Sequence, residues 1–388
     1  MALPTVAGLI AAHSLAAALL ELPTGSVADV LGRRITLTSA LALNGFALVL
    51  QALGTSASTL AFAMVLTGGA RALASGPAEA WYVEAERRAS GQEVDLRRGL
   101  AQGSAVASAS MAVGILVGGG LPWFVERGVG NSLEIMSGGS LLPLSVPLLA
   151  GAAINVFCAM YILVALHEPR HRPAAPAILG GVAHKVLDSL RLGGRDVVLR
   201  RVVLSATASG AALMTLELLT PQRTADLTGL PESGALVFAT LACAGLLAHA
   251  AGGVLAPHVA RFVGGSERAV LTGQAGSTVG MVLVASTALS SGALPTGLAA
   301  LGFGLMYLGQ GVGDPNAADL LHHSVPAANR ATAVSMESLG LQMSGALTAL
   351  VVSRLPGGYW PWWAATTAML AGALVWVRRA PSDAVVPR

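Results

Sequence analysis

Apolar runs of about twenty residues recur along almost the whole chain, and short charged segments separate them. A helix of about 20 apolar residues is long enough to cross the hydrocarbon core of a bilayer. Eleven such runs are present: 3–24, 35–54, 58–83, 100–125, 143–166, 199–220, 233–256, 269–290, 294–313, 331–353 and 358–377. The pattern predicts an all-α integral membrane protein with eleven spans.

The charged residues support this class of protein and exclude others. Only 11% of the 388 residues are charged, whereas soluble domains carry about 25%. The 23 Lys and Arg residues outnumber the 20 acidic ones, but they lie in short loops between apolar runs, which argues against a nucleic-acid partner. Lys185 is the single lysine, which hints at a GC-rich bacterial genome.

The basic residues also predict an orientation. If segment 25–34 is cytoplasmic and the runs alternate, nineteen of the 23 Lys and Arg residues lie on the cytoplasmic side and three on the other. This is the positive-inside pattern. We therefore predict a multi-pass protein of the cell (inner or plasma) membrane with a cytoplasmic C-terminus.

The longest connection divides the runs into two groups. Residues 167–198 separate a predicted N-terminal bundle, 1–166, from a predicted C-terminal bundle, 199–388. Within this linker apolar residues recur at helical spacing opposite Lys185 and Arg191, as expected of an amphipathic helix on the membrane surface.

The segment between the first two runs reads Gly-Ser-Val-Ala-Asp-Val-Leu-Gly-Arg-Arg over 25–34. We expect a tight turn here, which suits two glycines that accept unusual backbone angles. The segment resembles the signature loop of the major facilitator superfamily. The matching residues are Gly25, Asp29, Gly32, Arg33 and Arg34. The resemblance implies the fold of that superfamily, with two pseudo-repeated helical bundles and a small-molecule transport function.

The superfamily normally has twelve spans, one more than this chain. Residues 253–261 weakly repeat the pattern of 25–33, about 54 residues after the first run of the second half begins. The same offset counted back from Gly25 falls about 29 residues before Met1. We therefore expect that a first helix precedes Met1, and a true eleven-span protein is the alternative.

Three ionisable residues inside predicted spans are candidates for the substrate or proton pathway. Arg71 lies in the middle of its run, and a charge there normally faces a bundle interior or a wet cavity. Its surroundings resemble the fourth-helix motif that the superfamily's proton-coupled exporters use for proton relay, although the glycine is displaced. The alternative is a structural arginine paired with helix carbonyls or a carboxylate.

Glu217 and His13 are the other two. Glu217 lies toward the outer end of its run, where a carboxylate shielded from water is suited to carry protons. The alternative is a hydrated residue that pairs with Arg223. His13 lies near the middle of the first run and either binds substrate or a proton or packs between helices.

The superfamily resemblance also implies a cytoplasmic gate. There the loop Asp contacts the start of the eleventh helix and nearby basic residues, so Asp29 is expected to close against the segment 330–337. The predicted gating residues are Gly25, Asp29, Gly32, Arg33, Arg34, Glu79, Arg330 and Glu337. Ordinary interfacial charge is the alternative for each glutamate. Asp314 and Asp319 are interpreted as solvated loop residues.

No P-loop, zinc-protease motif, Cys/His cluster or nucleophile elbow occurs in the sequence, so we predict neither an enzyme nor a bound cofactor or metal. The predicted function is secondary active transport by alternating access, with proton-coupled efflux of amphipathic compounds as the leading form. A sugar or amino-acid importer of the same fold, or a transport-inactive scaffold or sensor, is the alternative. The expected partners are a small-molecule substrate and the lipid bilayer, and we expect a monomer.

Overall fold

The computed structural model describes residues 2–74, 77–90, 97–128, 135, 141–166, 196–325 and 330–377. Across these ranges the regular structure is helical, without a strand. The α-helices are α1 Leu3–Leu31, α2 Arg33–Leu53, α3 Ala57–Ala74, α4 Pro77–Ser90, α5 Arg97–Gly128, α6 Val146–Ala165, α7 Val197–Thr228, α8 Pro231–Val263, α9 Ser266–Ser286, α10 Ala293–Ser324, α11 Arg330–Val352 and α12 Trp360–Val377. The prediction of an all-α protein is confirmed.

Each of the eleven predicted runs corresponds to helical structure. The third run, predicted as continuous over 58–83, is built from α3 and α4 on either side of residues 75–76. Among the described helices, eight are long and apolar enough to cross a membrane by length and composition. Four helices are longer than the roughly 20 residues that a span needs: α5, α7 and α10 have 32 residues and α8 has 33. At 1.5 Å per residue these helices are about 48 Å long, so they continue beyond a hydrocarbon core of about 30 Å.

The predicted tight turn over 25–34 is wrong in its extent. The backbone of α1 stays helical through Gly25 and ends at Leu31, and α2 begins at Arg33. Gly32 alone breaks the helix, with a φ of 86° that favours glycine. Backbone hydrogen bonding continues beyond the apolar run into the polar segment, so the helix is longer than the run.

The chain divides into two compact units. Unit 1 contains Met1–His184 and Thr224–Ala239, and unit 2 contains Lys185–Arg223 and Thr240–Arg388. The predicted bundle boundaries at 166 and 199 stay predictions. The amphipathic helix predicted within 167–198 falls largely outside the described residues.

Small residues and polar side chains hold the helices of unit 1 together. The helix α1 packs on α3, and α2 packs on both α3 and α6. At Gly68 of α3 the approach to α1 is so close that an added Cβ would lie 2.9 Å from the Cβ of Ala16. Asn44 on α2 donates to Asn155 on α6 over 3.2 Å. Close backbone contact and interhelical hydrogen bonds are what bind helices where burial from water supplies little driving force.

Unit 2 has its tightest packing between α9 and α10. Gly280 on α9 faces Gly302 on α10, and a Cβ added to Gly280 would lie 2.5 Å from the carbonyl oxygen of Gly302. Ser277, on the same helix as Gly280, donates to the carbonyl of Met306 on α10 over 2.9 Å. The helix α12 covers the other side of α9 with buried Met369. This packing joins α9 and α10, which carry Gln274, Gln310 and Asp314 among the polar residues described below.

Candidate functional site

The structure brings together two of the predicted pathway residues in unit 1. His13 on α1 interacts electrostatically with Arg71 in the last turn of α3 and with the backbone of Met64. The side chain of Arg71 is exposed, while the helix residues on both sides of it, Ala70 and Ala72, are buried. Within the described part of the chain, the buried Nδ1 atom of His13 has no hydrogen-bond partner. The site therefore combines an exposed cation with an imidazole that has hydrogen-bonding capacity left.

The third predicted pathway residue lies in unit 2, beside two aromatic rings. Glu217 on α7 is exposed and interacts electrostatically with Tyr307 on α10. The ring of Tyr307 stacks on that of Phe303, with 5.0 Å between centroids and 30° between planes. Gly245 on α8 permits this pair, because its Cβ would lie only 2.8 Å from Phe303. Sequence reasoning found the carboxylate but not its aromatic neighbours.

Arg223, the partner that the sequence offered for Glu217, makes a well-defined contact elsewhere. Its guanidinium donates to the carbonyl oxygen of Thr287 over 2.6 Å, and Thr287 is the C-cap of α9. A cation at a helix C-terminus stabilises the negative end of the helix dipole. Arg223 therefore ties the end of α7 to the end of α9.

A buried amide network joins α7, α9 and α10 in unit 2, and it was not predicted from the sequence. Ser209 on α7 donates to Oε1 of Gln310 on α10 over 3.1 Å. Gln274 on α9 donates to the Ser209 hydroxyl over 3.3 Å. All three residues are at most 6% exposed. The sequence did carry a signal for this network, because Gln274 and Gln310 lie inside apolar runs and a buried amide needs hydrogen-bond partners on neighbouring helices.

Asp314 and Asp319 are helical, so their interpretation as loop residues is wrong. The helix α10 continues eleven residues beyond the predicted end at 313 and accommodates Pro315. Asp314 pairs with Nε2 of His249 on α8 over 3.1 Å. Asp319 accepts a hydrogen bond from Ser266 over 2.9 Å. Asn316, next to the proline, donates to the Val312 carbonyl over 2.8 Å.

The predicted gating residues are only partly described. The side chains of Asp29, Glu79 and Arg330 lie outside the described residues, so the gate stays a prediction. Arg34 donates to the carbonyl of Leu163 in the last turn of α6, which joins the start of α2 to the end of α6. This is a structural contact within unit 1, again a cation at a helix C-terminus.

Arg33 and Glu337 are described as well. Arg33, at the start of α2, is half-buried. Glu337 on α11 is also half-buried and interacts electrostatically with Asp314.

The comparisons with known proteins concern the fold. No protein-family model and no curated protein matches the sequence. A crystal structure of a variant of the nucleoside transporter NupG is 13% identical, with a TM-score of 0.75 over 97% of this chain and 91% of that one. The xylose transporter XylE from E. coli is 13% identical, with a TM-score of 0.65 over 98% and 89%. A bacterial homologue of the human lysosomal transporter Spinster is 12% identical, with a TM-score of 0.65 over 98% of each chain.

These similarities, with the helical spans and the two units, define the class of this protein. It is a multi-pass helical membrane protein. More narrowly, the chain has the major facilitator fold, as the signature segment 25–34 implied. The predicted helix before Met1 stays a prediction.

Proposed function

We propose that this protein is a secondary active transporter that moves a small molecule across the membrane by alternating access. The observation that carries the proposal is that each unit mounts a charged side chain beside a second polar group within apolar helices. These are Arg71 with His13 in unit 1 and Glu217 with Tyr307 in unit 2. A charge in a span costs several kcal/mol unless it faces a wet path or a partner. Such groups are retained where substrate or protons must pass.

The roles follow from the chemistry of each pair. Arg71 has no carboxylate partner among the described residues, so its guanidinium is available to a substrate atom that accepts hydrogen bonds. Glu217 is exposed and can exchange a proton, which changes the charge next to the aromatic pair Phe303 and Tyr307. Apolar side chains around a few polar groups suit the apolar part of an amphipathic molecule. Proton-coupled efflux of amphipathic compounds is therefore the leading form of the proposal.

Import of a metabolite is the second candidate. Two proteins with this fold are named for transport of a nucleoside and of xylose. Arg71 would bind hydroxyl or carbonyl oxygens of such a molecule. A transport-inactive scaffold or sensor is the third candidate. In all three the protein is proposed to be a monomer of the cell membrane that needs no cofactor.

Transport by the full chain in proteoliposomes tests the proposal. The vesicles contain a pH-sensitive dye, and a pH gradient of either sign is imposed. The probes are an amphipathic aromatic dye, a labelled nucleoside and labelled xylose. Proton-coupled efflux predicts movement of the aromatic dye opposite to the proton flux, whereas import predicts a nucleoside or xylose moving with protons.

Two controls make the assay decisive. Protein-free vesicles give the passive leak, and a protonophore collapses the gradient while it leaves the membrane intact. Transport against the substrate gradient that persists with the protonophore contradicts proton coupling but not transport. No transport of any probe, by protein that is correctly inserted and folded, supports the scaffold or sensor instead.

A further inference from the structure

A large apolar ring stands out from the end of α8, beside a cation. Phe262 is 92% exposed, more than any other large apolar side chain among the described residues. It is the second-to-last residue of α8, and Arg261, which precedes it, is exposed as well. This end of α8 therefore presents an apolar group and a positive charge together.

Phe262 continues the face that α8 turns toward lipid. Leu247 and Val254 are 65% and 74% exposed within the apolar run. Positions 247, 254 and 262 are seven and eight residues apart, or about two helical turns each, so the three side chains share one face. Phe262 is six residues, about 9 Å, beyond the end of the run at 256. Helical side chains lean toward the N-terminus, here toward the bilayer, so the ring reaches the headgroup layer, which is about 5–8 Å thick on each side.

The turn that follows Phe262 is closed by backbone hydrogen bonds. The amides of Gly264 and Gly265 donate to the carbonyl of Ala260 over 3.1 and 2.8 Å. The φ angles of the two glycines are 84° and 134°, which glycine adopts readily. Both bonds end on the last turn of α8, so they hold the connection to α9 close to the ring.

Arg268 on α9 adds a second cation at this turn. Its guanidinium donates to the carbonyl of Val263, the residue after Phe262, over 3.1 Å. Arg261 and Arg268 are both exposed, and neither forms an ion pair with a described residue. A guanidinium carries five N–H donors. Most of the donors of these two side chains are therefore available to an anion.

The carboxylates near this turn are engaged with other groups. Glu267 lies 3.8 Å from Arg201 at the start of α7. Asp319 on α10 accepts a hydrogen bond from Ser266 over 2.9 Å and lies 3.3 Å from His323. These contacts leave the charges of the two exposed arginines at the turn uncompensated within the described part of unit 2.

We propose that Arg261, Phe262 and Arg268, the α8–α9 corner, bind an anionic phospholipid. The two guanidiniums bind the phosphate of the headgroup, and the ring inserts at the boundary between headgroups and acyl chains. Charge complementarity favours this occupant, because the cytoplasmic leaflet is anionic and the orientation predicted from the basic residues places the corner on that side. The proposal does not depend on the proposed transport function.

Native mass spectrometry of the purified full chain in detergent tests the proposal, because it counts bound lipids. The probes are phosphatidylglycerol and, separately, the zwitterionic phosphatidylcholine. We expect the natural protein to prefer phosphatidylglycerol and the preference to weaken at high salt. Each arginine should contribute about five-fold to the affinity for the anionic lipid. The double variant Arg261→Gln, Arg268→Gln should therefore bind phosphatidylglycerol about thirty-fold more weakly.

The double variant Arg127→Gln, Arg354→Gln is the matched control, since it removes two exposed arginines from the opposite predicted side. It should keep the lipid preference. Arg268→Lys separates charge from the structure of the turn, and it should retain most of the preference. Equal binding of the two lipids by the natural protein would overturn the proposal, as would an unchanged preference in Arg261→Gln, Arg268→Gln. Inorganic phosphate that binds as tightly as phosphatidylglycerol would overturn the lipid as the occupant.

The depth of the ring is tested separately in lipid vesicles. A nitroxide spin label is attached at Phe262→Cys in a chain that also carries Cys158→Ser and Cys243→Ser. A label at Val254→Cys is the reference inside the hydrocarbon. The label at 262 should lie about 12 Å nearer the surface than the reference, eight residues along the helix, and still be shielded from a water-soluble nickel chelate. Full access of the chelate to this label would contradict insertion of the ring.

Discussion

The contact between α9 and α10 predicts opposite effects for two glycine substitutions on the same helix. Gly273 on α9 faces α10 so closely that an added Cβ would lie 2.5 Å from the carbonyl oxygen of Gly309 and 2.9 Å from the nitrogen of Gly313. Gly276, almost one turn further, would place its Cβ 3.9 Å from the Cα of Gly309, an ordinary contact. Gly273→Ala should therefore separate the helices, and Gly276→Ala should not.

The size of the stability change follows from the distances to the added Cβ. Ordinary contact begins at 3.4 Å, so relief of the 2.5 Å contact needs a separation of about 0.9 Å, which forfeits a quarter to a half of the dispersion energy of the affected atom pairs. The obstacles are backbone atoms of α10, so the whole helix must move. Overpacking of this kind costs about 1–3 kcal/mol, while alanine gains about 1 kcal/mol over glycine in a helix. Gly273→Ala should lose up to about 2 kcal/mol, and Gly276→Ala should gain up to about 1 kcal/mol.

Unfolding of the purified variants in one detergent, by heat or by added SDS, measures the difference. Tryptophan fluorescence is a suitable signal because Trp362 and Trp376 are buried in unit 2. Gly280→Ala gives an independent repeat, since its Cβ would also lie 2.5 Å from a carbonyl oxygen of α10. Equal stability of Gly273→Ala and Gly276→Ala would contradict the close approach of the two helices.

Three further substitutions test the proposed roles in proteoliposomes. Glu217→Gln should abolish coupling to a pH gradient yet preserve exchange of substrate down its own gradient, and proton-driven transport at the natural rate would place the carrier elsewhere. Arg71→Ala should weaken both processes, because it removes the charge that binds substrate, whereas Arg127→Ala, at the end of α5, should not. Asp29→Asn keeps the side-chain shape but removes the gating charge. Its flux should fall while insertion stays normal, and unchanged flux would make Asp29 an ordinary structural residue.

The spans could be predicted from the sequence because apolar length is a strong local signal. Eleven runs correspond to helical structure, and the segment 25–34 led to the major facilitator fold. The helix ends could not be predicted in the same way. The helix α1 extends to Leu31 and α10 to Ser324, well past their apolar runs, since nothing in hydrophobicity marks where hydrogen bonding stops in the polar region.

Candidate residues were easier to predict than their partners. A charge inside an apolar run is rare, so Arg71 and Glu217 stood out. Their neighbours His13 and Tyr307 are 58 and 90 residues away in the chain, and only the packing of helices brings them together. His249 escaped notice because a lone histidine in a span is ordinarily a packing residue. Its partner in the structure is Asp314, which lies one residue beyond the predicted end of its apolar run at 313.

The sequence of α10 nevertheless indicated which of its faces meets other helices of unit 2. On α10 the residues Phe303, Tyr307, Gln310 and Asp314 are spaced by four, three and four positions, so they share one helix face. In the structure three of the four interact with other helices of the unit: Tyr307 with Glu217 on α7, Gln310 with Ser209 on α7, and Asp314 with His249 on α8. The face spans about 16 Å from the aromatic pair to the carboxylate. A polar stripe at helical spacing inside an apolar run therefore marks the face that a span turns toward its neighbours better than any single charge on it.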